Sequence, residues 1–172
     1  KMNENDAKDV KVLPNHSKVK TERGLLYINQ RDLKAASAPI LQSLELRRQL
    51  VELVPENTEA IQLLANAEMN VVLLEEILGH SQKALEQYEA AQVRLKELLA
   101  KYPAKVGILR DRAKGLSELG MFHARQQKLR EAEEFFEQAE KAFTLLTDRK
   151  DRQLGDLLNH GIVLRRLGDM AA

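Results

Sequence analysis

The chain has 172 residues, 44% of them hydrophobic and only 4% aromatic, and its 27 Lys and Arg nearly balance its 26 Asp and Glu. This balance provides no overall attraction to nucleic acid or to an anionic membrane surface. The absence of cysteine excludes disulfides, thiolate metal sites and a cysteine nucleophile. The longest apolar runs have four residues, whereas a membrane span needs about 20. Ala, Leu, Glu, Lys, Arg and Gln dominate, which predicts an all-α chain of long amphipathic helices.

The beginning of the chain, up to His16, is polar, mixed in charge and interrupted by Pro14. We therefore expect residues 1–16 to form a polar linker or tail, and residues 17–172 to form one helical domain. Lys1 precedes Met2, which leads us to expect a piece of a larger, multidomain protein.

From Ser17 onward, apolar residues recur at steps of three and four, the spacing of one face of an α-helix. Gly79 is expected to end a helix in the left-handed conformation, Ser81 to cap the next one, and Asn57 or Thr58 to cap the helix after Pro55. The predicted helices lie near 17–30, 32–53, 57–78, 80–101, 104–126, 128–147 and 151–168. They pair into hairpins at about 17–55, 56–103 and 104–149, followed by the first helix of a fourth repeat at 151–168.

Pro39 falls inside the second predicted helix, where it removes a backbone hydrogen-bond donor. We expect a kink at Pro39 or a later start of this helix.

The second helices of the hairpins share a repeated pattern. Each contains a small residue, a bulky residue four positions later and a small residue three after that. The three sets are Ala36/Ile40/Ser43, Ala84/Tyr88/Ala91 and Ala132/Phe136/Ala139. The period of the pattern is the interval from Ala36 to Ala84, which recurs from Ala84 to Ala132. A fixed period of this size is typical of a helical repeat array.

A fourth copy begins with the stretch Leu157, Gly161, Leu164, Gly168. In this copy Gly161 is aligned with Gly120, an interval that is one heptad shorter than the period. The array is therefore not expected to be uniform.

These residues resemble the tetratricopeptide repeat (TPR) family. The best copy runs Leu116, Leu119-Gly120, His123, Leu129, Ala132, Phe136 and Ala139. The resemblance implies antiparallel helix hairpins stacked as a right-handed solenoid of about seven helices. The period of this chain exceeds that of a standard TPR, about 34 residues, by two heptads, which would lengthen both helices while preserving their buried faces. The Arg-containing stretches 46–50 and 164–169 are similar to the repeat tracts of some bacterial serine/threonine protein kinases.

The TPR resemblance also implies a concave groove lined by the first helix of every hairpin. Carried onto this chain, its partner-binding residues are Leu25, Ile28, Asn29, Asn70, Leu73, Ile77, Met121, Arg125, Ile162, Arg165 and Arg166. Such an apolar stripe with a basic end would bind an extended peptide or an amphipathic helix of another protein. Alternatively, the longer helices close the groove and bury the stripe.

The ionisable residues form no pattern typical of catalysis or of metal binding. His16, His80, His123 and His160 are scattered, with no second ligand at a recognised spacing. We expect His123 to pack in the core, His80 to lie in a solvated turn and His160 to pack at a helix crossing. The segment is accordingly predicted to be no enzyme, with no catalytic residue, cofactor or metal.

The predicted function is a non-catalytic protein-interaction scaffold for bacterial signalling. The alternative is an oligomerisation or spacer module of a signalling enzyme such as a serine/threonine protein kinase. The last helix would expose Leu157, Ile162 and Leu164, to be covered by further repeats or by another copy of the chain. Nucleic acid is not an expected partner, and the chain is expected to contain no membrane span. The composition does not identify a compartment, although a cytoplasmic location is favoured.

Overall fold

The computed structural model describes residues 4–170, and the side chains from residue 8 onward. This part of the chain forms seven α-helices and no strand. The helices are α1 (Glu4–Asn29), α2 (Leu33–Leu53), α3 (Thr58–Ile77), α4 (Ser81–Lys101), α5 (Val106–Arg125), α6 (Leu129–Thr147) and α7 (Leu154–Met170). The prediction of an all-α fold is confirmed.

The helix boundaries repeat with the period of the small–bulky–small pattern. The even-numbered helices begin at Leu33, Ser81 and Leu129, and α3, α5 and α7 begin at Thr58, Val106 and Leu154. The odd-numbered helices α1, α3 and α5 end at Asn29, Ile77 and Arg125. The chain is therefore built from nearly identical hairpins of two helices.

The turn inside each hairpin is the same in all three copies. Arg31, Gly79 and Gln127 have φ values of 62°, 79° and 61°. Each donates its N–H to the carbonyl three residues earlier, and the next residue donates to the carbonyl five residues earlier. This is the Schellman arrangement, which satisfies the last carbonyls of a helix by placing one residue in the left-handed region. The left-handed conformation predicted at Gly79 is confirmed.

Of the predicted helix caps, Asn57 is confirmed and Ser81 is wrong. Asn57 caps α3, because its side-chain oxygen accepts hydrogen bonds from the N–H groups of Glu59 and Ala60. Ser81 is wrong as a cap, since α4 already begins at this residue and the His80 carbonyl accepts the first helical bond, from Ala84. The residue before α4 is His80, one period after Asp32, which caps α2 at the same position of the first hairpin.

The prediction of a linker over residues 1–16 is wrong for its described part. Helix α1 begins at Glu4 and continues through Pro14 to Asn29. Val10, Leu13 and Pro14 are half-buried. This mostly polar segment therefore contains a few apolar residues that pack against the rest of the chain. Residues 1–3 lie outside the described residues.

Pro39 is accommodated inside α2. The predicted later start of this helix is wrong, because α2 begins at Leu33 with Asp32 as its cap. Pro39 is buried and its ring adds apolar volume to the core side of α2.

The chain divides into two compact units, Lys1–Arg94 and Leu95–Ala172, and the boundary falls within α4. In the first unit, α2 packs against α1 and α3. In the second unit, α6 packs against α5 and α7. Each unit has its own apolar cluster, centred on Ile40 and Leu74 in the first and on Phe136 and Phe143 in the second.

The small–bulky–small pattern marks the buried side of α2, α4 and α6, as predicted. All nine of its side chains are at most 2% exposed. In two of the hairpins the bulky residue lies against a glycine of the preceding helix. A Cβ on Gly24 would approach Ile40 Cδ1 to 2.5 Å, and one on Gly120 would approach Phe136 Cδ1 to 2.7 Å. A side chain at either glycine would therefore force the bulky neighbour to shift, because the two helices approach each other closely at these crossings.

The position equivalent to Gly24 and Gly120 in α7 is Gly168, which follows Gly120 by one full period. The shorter interval to Gly161 is thus wrong as a repeat register, because α7 begins one full period after α5. Gly161 instead corresponds to Ser17, Ala65 and Ala113, which are all fully buried small residues.

None of the helices in the described part of the chain has both the length and the apolar character of a membrane-spanning segment.

Candidate binding hollow between α5 and α7

The first helices of successive hairpins, α5 and α7, lie side by side and run in the same direction in the second unit. Their beginnings are joined by Arg110 and Asp156. Arg110 donates from Nε to Asp156 Oδ1 at 2.6 Å and from Nη2 to Oδ2 at 2.9 Å. The carboxylate is 1% exposed and also accepts from the N–H of Gln153 at 3.1 Å. This bidentate ion pair fixes the distance between the two helices at one end.

The ion pair shifts the pKa values of both partners in the direction of the charged forms. Hydrogen bonding from Arg110 holds the pKa of the Asp156 carboxyl below its ordinary value of 3.8, against the opposing effect of burial. The same hydrogen bond raises the pKa of the Arg110 guanidinium. The pair therefore remains charged at neutral pH.

At the other end of the two helices, a hollow of about 400 Å³ opens between them. Its lining residues are Met121, Ala124, Arg125, Phe136, Arg166, Asp169 and Met170. Phe136 lies beneath the hollow and is fully buried, while the half-buried methionines on the two walls provide accessible apolar surface. Flexible methionine side chains adapt their shape to different apolar groups. The hollow thus offers an apolar bottom below a charged rim.

The rim contains two arginines and one aspartate. Arg125 is at the end of α5, and Arg166 and Asp169 lie on the last turns of α7. All three side chains are exposed. The rim therefore carries a net positive charge, which favours a ligand with an acidic group beside its apolar part.

Three of the predicted groove residues, Met121, Arg125 and Arg166, are brought together in this hollow. Ile162 and Arg165 are exposed on α7 but do not line the hollow. Ile162 was aligned with Met121 through the shorter interval, whereas the full period places Asp169 at this position.

The sequence reasoning missed Asp169, Met170 and Phe136 as lining residues. The constant period would have found Asp169. Phe136 lies against Gly120 beneath the hollow, an arrangement that the sequence pattern alone does not show.

The predicted groove residues of the first unit do not form a comparable site. Leu25 and Ile28 pack against the apolar cluster of that unit and are half-buried. Leu73 and Ile77 are exposed on α3, Asn70 is half-buried and Asn29 is exposed at the end of α1.

Two polar clusters of the first unit serve packing. Arg47 is 6% exposed and donates to the Leu63 carbonyl at 2.6 Å, to Ser17 Oγ at 3.3 Å and to Thr21 Oγ1 at 3.4 Å. Burial lowers the pKa of its guanidinium.

Glu68, which is 1% exposed, accepts two hydrogen bonds from Arg94 Nε at 3.0 and 3.2 Å. Burial raises the pKa of the Glu68 carboxyl, and the charges of Arg94 and Arg48 counteract that effect. This ion pair links α3 to α4 within the first unit.

The histidines lie in separate, structural positions. His123 is buried and stacks on Phe135 with ring centroids 5.2 Å apart, as expected for a core residue. His160 stacks on Phe143 at 6.3 Å, at the crossing of α6 and α7. His80 is exposed in the turn before α4, where its Nδ1 lies 2.6 Å from Glu75 Oε2. Across the residues with described side chains, no group of three His, Asp or Glu could hold a metal ion.

No protein-family model matches the chain, and a search of curated proteins found no significant match.

Proposed function

We propose that this chain is a TPR-like, non-catalytic interaction module that binds a short segment of a partner protein in the hollow between α5 and α7. The observation that carries the proposal is the hollow itself, with Met121 and Met170 as its apolar walls, Phe136 buried beneath it and charged residues at its rim. The shape and lining are typical of a site for one apolar anchor residue.

The charges of the rim define the second feature of the proposed ligand. Arg125 and Arg166 outnumber Asp169, so a segment that bears an acidic residue next to its apolar anchor binds best. The Arg110–Asp156 pair fixes the distance between α5 and α7 at the end opposite the hollow, which limits the relative motion of the two helices and so reduces the entropy that binding costs.

The test uses random twelve-residue peptides displayed on phage and selected against the whole chain. Enriched peptides are synthesised and their affinity is measured by fluorescence anisotropy. We expect them to combine a large apolar residue with a nearby Asp or Glu, and to bind Met121→Glu at least tenfold more weakly than the unchanged chain. Arg166→Glu should weaken only the peptides that contain an acidic residue.

Leu145→Glu is the matched control, because Leu145 is an exposed leucine on α6 that does not line the hollow. Its affinity for the peptides should equal that of the unchanged chain. Peptides that bind equally well to Met121→Glu would contradict the proposal.

The alternative function, an oligomerisation or spacer module, is favoured by one observation, the exposed apolar side of α7. A connection to a serine/threonine protein kinase stays a prediction from the sequence.

A further inference from the structure

Helix α7 exposes an unusually apolar side. Two residues are fully buried on this helix: Asp156, which is paired with Arg110 of α5, and Val163, which packs in the apolar cluster with Phe143 of α6. Five large aliphatic residues are between 43% and 71% exposed: Leu154, Leu157, Leu158, Ile162 and Leu164. Together they form an apolar patch on the order of several hundred Å², a size that marks interaction surfaces in other proteins.

The centre of this patch is a stripe that alternates in size along the helix: Leu157, Gly161, Leu164, Gly168. The corresponding residues of α5, one period earlier, are Leu109, Ala113, Leu116 and Gly120. Three of these are buried, and Gly120 lies directly against Phe136 of the antiparallel helix α6. In α7, by contrast, a Cβ added at Gly161 or Gly168 would meet nothing within 4 Å.

The register of the stripe therefore indicates that an antiparallel helix would pack against it. In the hairpin of α5 and α6 the same register positions are covered by an antiparallel helix, whose bulky side chain fills the space above a glycine. An occupant of α7 must likewise place large side chains opposite Gly161 and Gly168.

We propose that the occupant is α7 of a second copy of this chain, packed antiparallel against the first. The alternation of leucine and glycine is complementary to itself in this orientation. When Gly161 faces Leu164 of the second copy, Leu157 faces Gly168 of the second copy, and the reciprocal contacts follow by symmetry. Every glycine of the stripe is then covered by a leucine.

Other pairings of two copies fit less well. In a parallel pair with equal register, glycine would face glycine and leave gaps, and leucine would face leucine. In the antiparallel pair, Leu158 lies beside the aliphatic part of Arg165 of the second copy, at the flank of the stripe. The two patches together reach about 1,000 Å², the lower limit for a specific interface, so the dimer is expected to be of moderate affinity.

The proposed dimer is independent of the proposed peptide-binding function. Arg166 and Met170, which line the hollow, lie on the other side of α7 from Gly161 and Gly168. A failure of peptide binding would leave the dimer intact, and a monomeric chain could still bind peptides.

Sedimentation equilibrium of the whole chain from low micromolar to high micromolar concentration tests the proposal. We expect a reversible monomer–dimer equilibrium. Gly168→Leu should raise the dissociation constant of the dimer at least tenfold, because the added side chain overlaps Leu157 of the second copy. An unspecific apolar contact would instead be strengthened by the additional leucine.

Gly155→Leu is the matched control, since a Cβ at Gly155 also meets open space but the residue lies off the stripe. Its dissociation constant should remain within twofold of that of the unchanged chain. Leu164→Glu, a substitution at an exposed residue, should abolish the dimer without unfolding the helix, which circular dichroism checks. A chain that is monomeric at every concentration would overturn the proposal. A dimer that Gly168→Leu strengthens would also overturn it.

Cross-linking determines the orientation, because the chain has no cysteine of its own. Leu158→Cys and Arg165→Cys are mixed and treated with a short thiol-specific cross-linker. The antiparallel pair predicts that the cross-link between the two different variants predominates. Predominant cross-links of each variant with itself would show a parallel pair and contradict the proposed arrangement.

Discussion

Arg47 is the residue at which the first hairpin departs from the other two. The period places Leu95 and Phe143 at the corresponding positions, and all three side chains are buried. The guanidinium of Arg47 donates to two hydroxyl groups and one carbonyl, all of them neutral acceptors. A cation in such surroundings keeps its place through hydrogen bonds, while its desolvation reduces the net gain in stability.

Replacing Arg47 with an apolar residue of similar length should therefore be well tolerated. We expect Arg47→Met to change the free energy of unfolding by less than about 1 kcal/mol, and Arg47→Ala to lower it by about 3 kcal/mol through the cavity that it leaves. Urea denaturation followed by circular dichroism measures both values. Arg130→Ala, a truncation of an exposed arginine on α6, is the control and should cost about 0.5 kcal/mol or less. Equal losses for Arg47→Met and Arg47→Ala would show that the charge itself is required.

Asp156 makes the stability of the second unit depend on pH. Because Arg110 lowers the pKa of this carboxyl in the folded protein, the unfolded chain binds the proton more tightly. The stabilisation is therefore complete above the ordinary value of 3.8 and is lost as the pH falls through the lower value of the folded state.

The substitution Asp156→Asn tests this dependence. At pH 7 it should lower the free energy of unfolding by about 3 kcal/mol, because it leaves Arg110 without its anionic partner. The difference from the unchanged chain should shrink as the pH is lowered from about 5 to about 2, as urea denaturation at each pH would show. Asp148→Asn, at an exposed carboxylate of the same unit, should have little effect at any pH. A constant difference between Asp156→Asn and the unchanged chain over this range would refute the role of the ion pair.

At the scale of the helices, the three identical turns differ in how well their residues suit the conformation. Gly79 adopts a positive φ without steric cost, whereas Arg31 and Gln127 adopt the same conformation with a Cβ close to the backbone. We expect Gln127→Gly to raise the free energy of unfolding by about 0.5 kcal/mol, and Gly79→Gln to lower it by about 1 kcal/mol. Thermal unfolding measures the two changes in the free energy of unfolding. Changes of the same sign for the two substitutions would contradict the prediction.

The helices from α2 to α7 could be predicted within a few residues because each has a continuous apolar face and a recognisable turn. Arg31 and Gln127 could not be identified as turn residues by type, since arginine and glutamine have no preference for a positive φ. Their positions, one period before and one period after Gly79, were the available signal. The beginning of α1 was missed because its apolar residues are too few to form a clear stripe.

The hollow could be predicted only in part. Met121 and Arg125 were found because they lie on the first helix of a well-matched repeat. Asp169 was missed because Gly161 and Gly168 are both small, and a local pattern cannot tell which of them continues the period. The common start of helices at Thr58, Val106 and Leu154 resolves this ambiguity.

At the scale of the whole molecule, repetition brings a risk of incorrect assembly. Hairpins with the same length, the same turns and the same small–bulky–small pattern could exchange partners during folding, within a chain or between chains. The site of Arg47, which is lined by hydroxyl groups, disfavours such an exchange of partners for the first hairpin. If α2 docked at a site built for Leu95 or Phe143, its guanidinium would lose Ser17 and Thr21 and be buried among hydrocarbons, so the misassembled form would be penalised before it could accumulate.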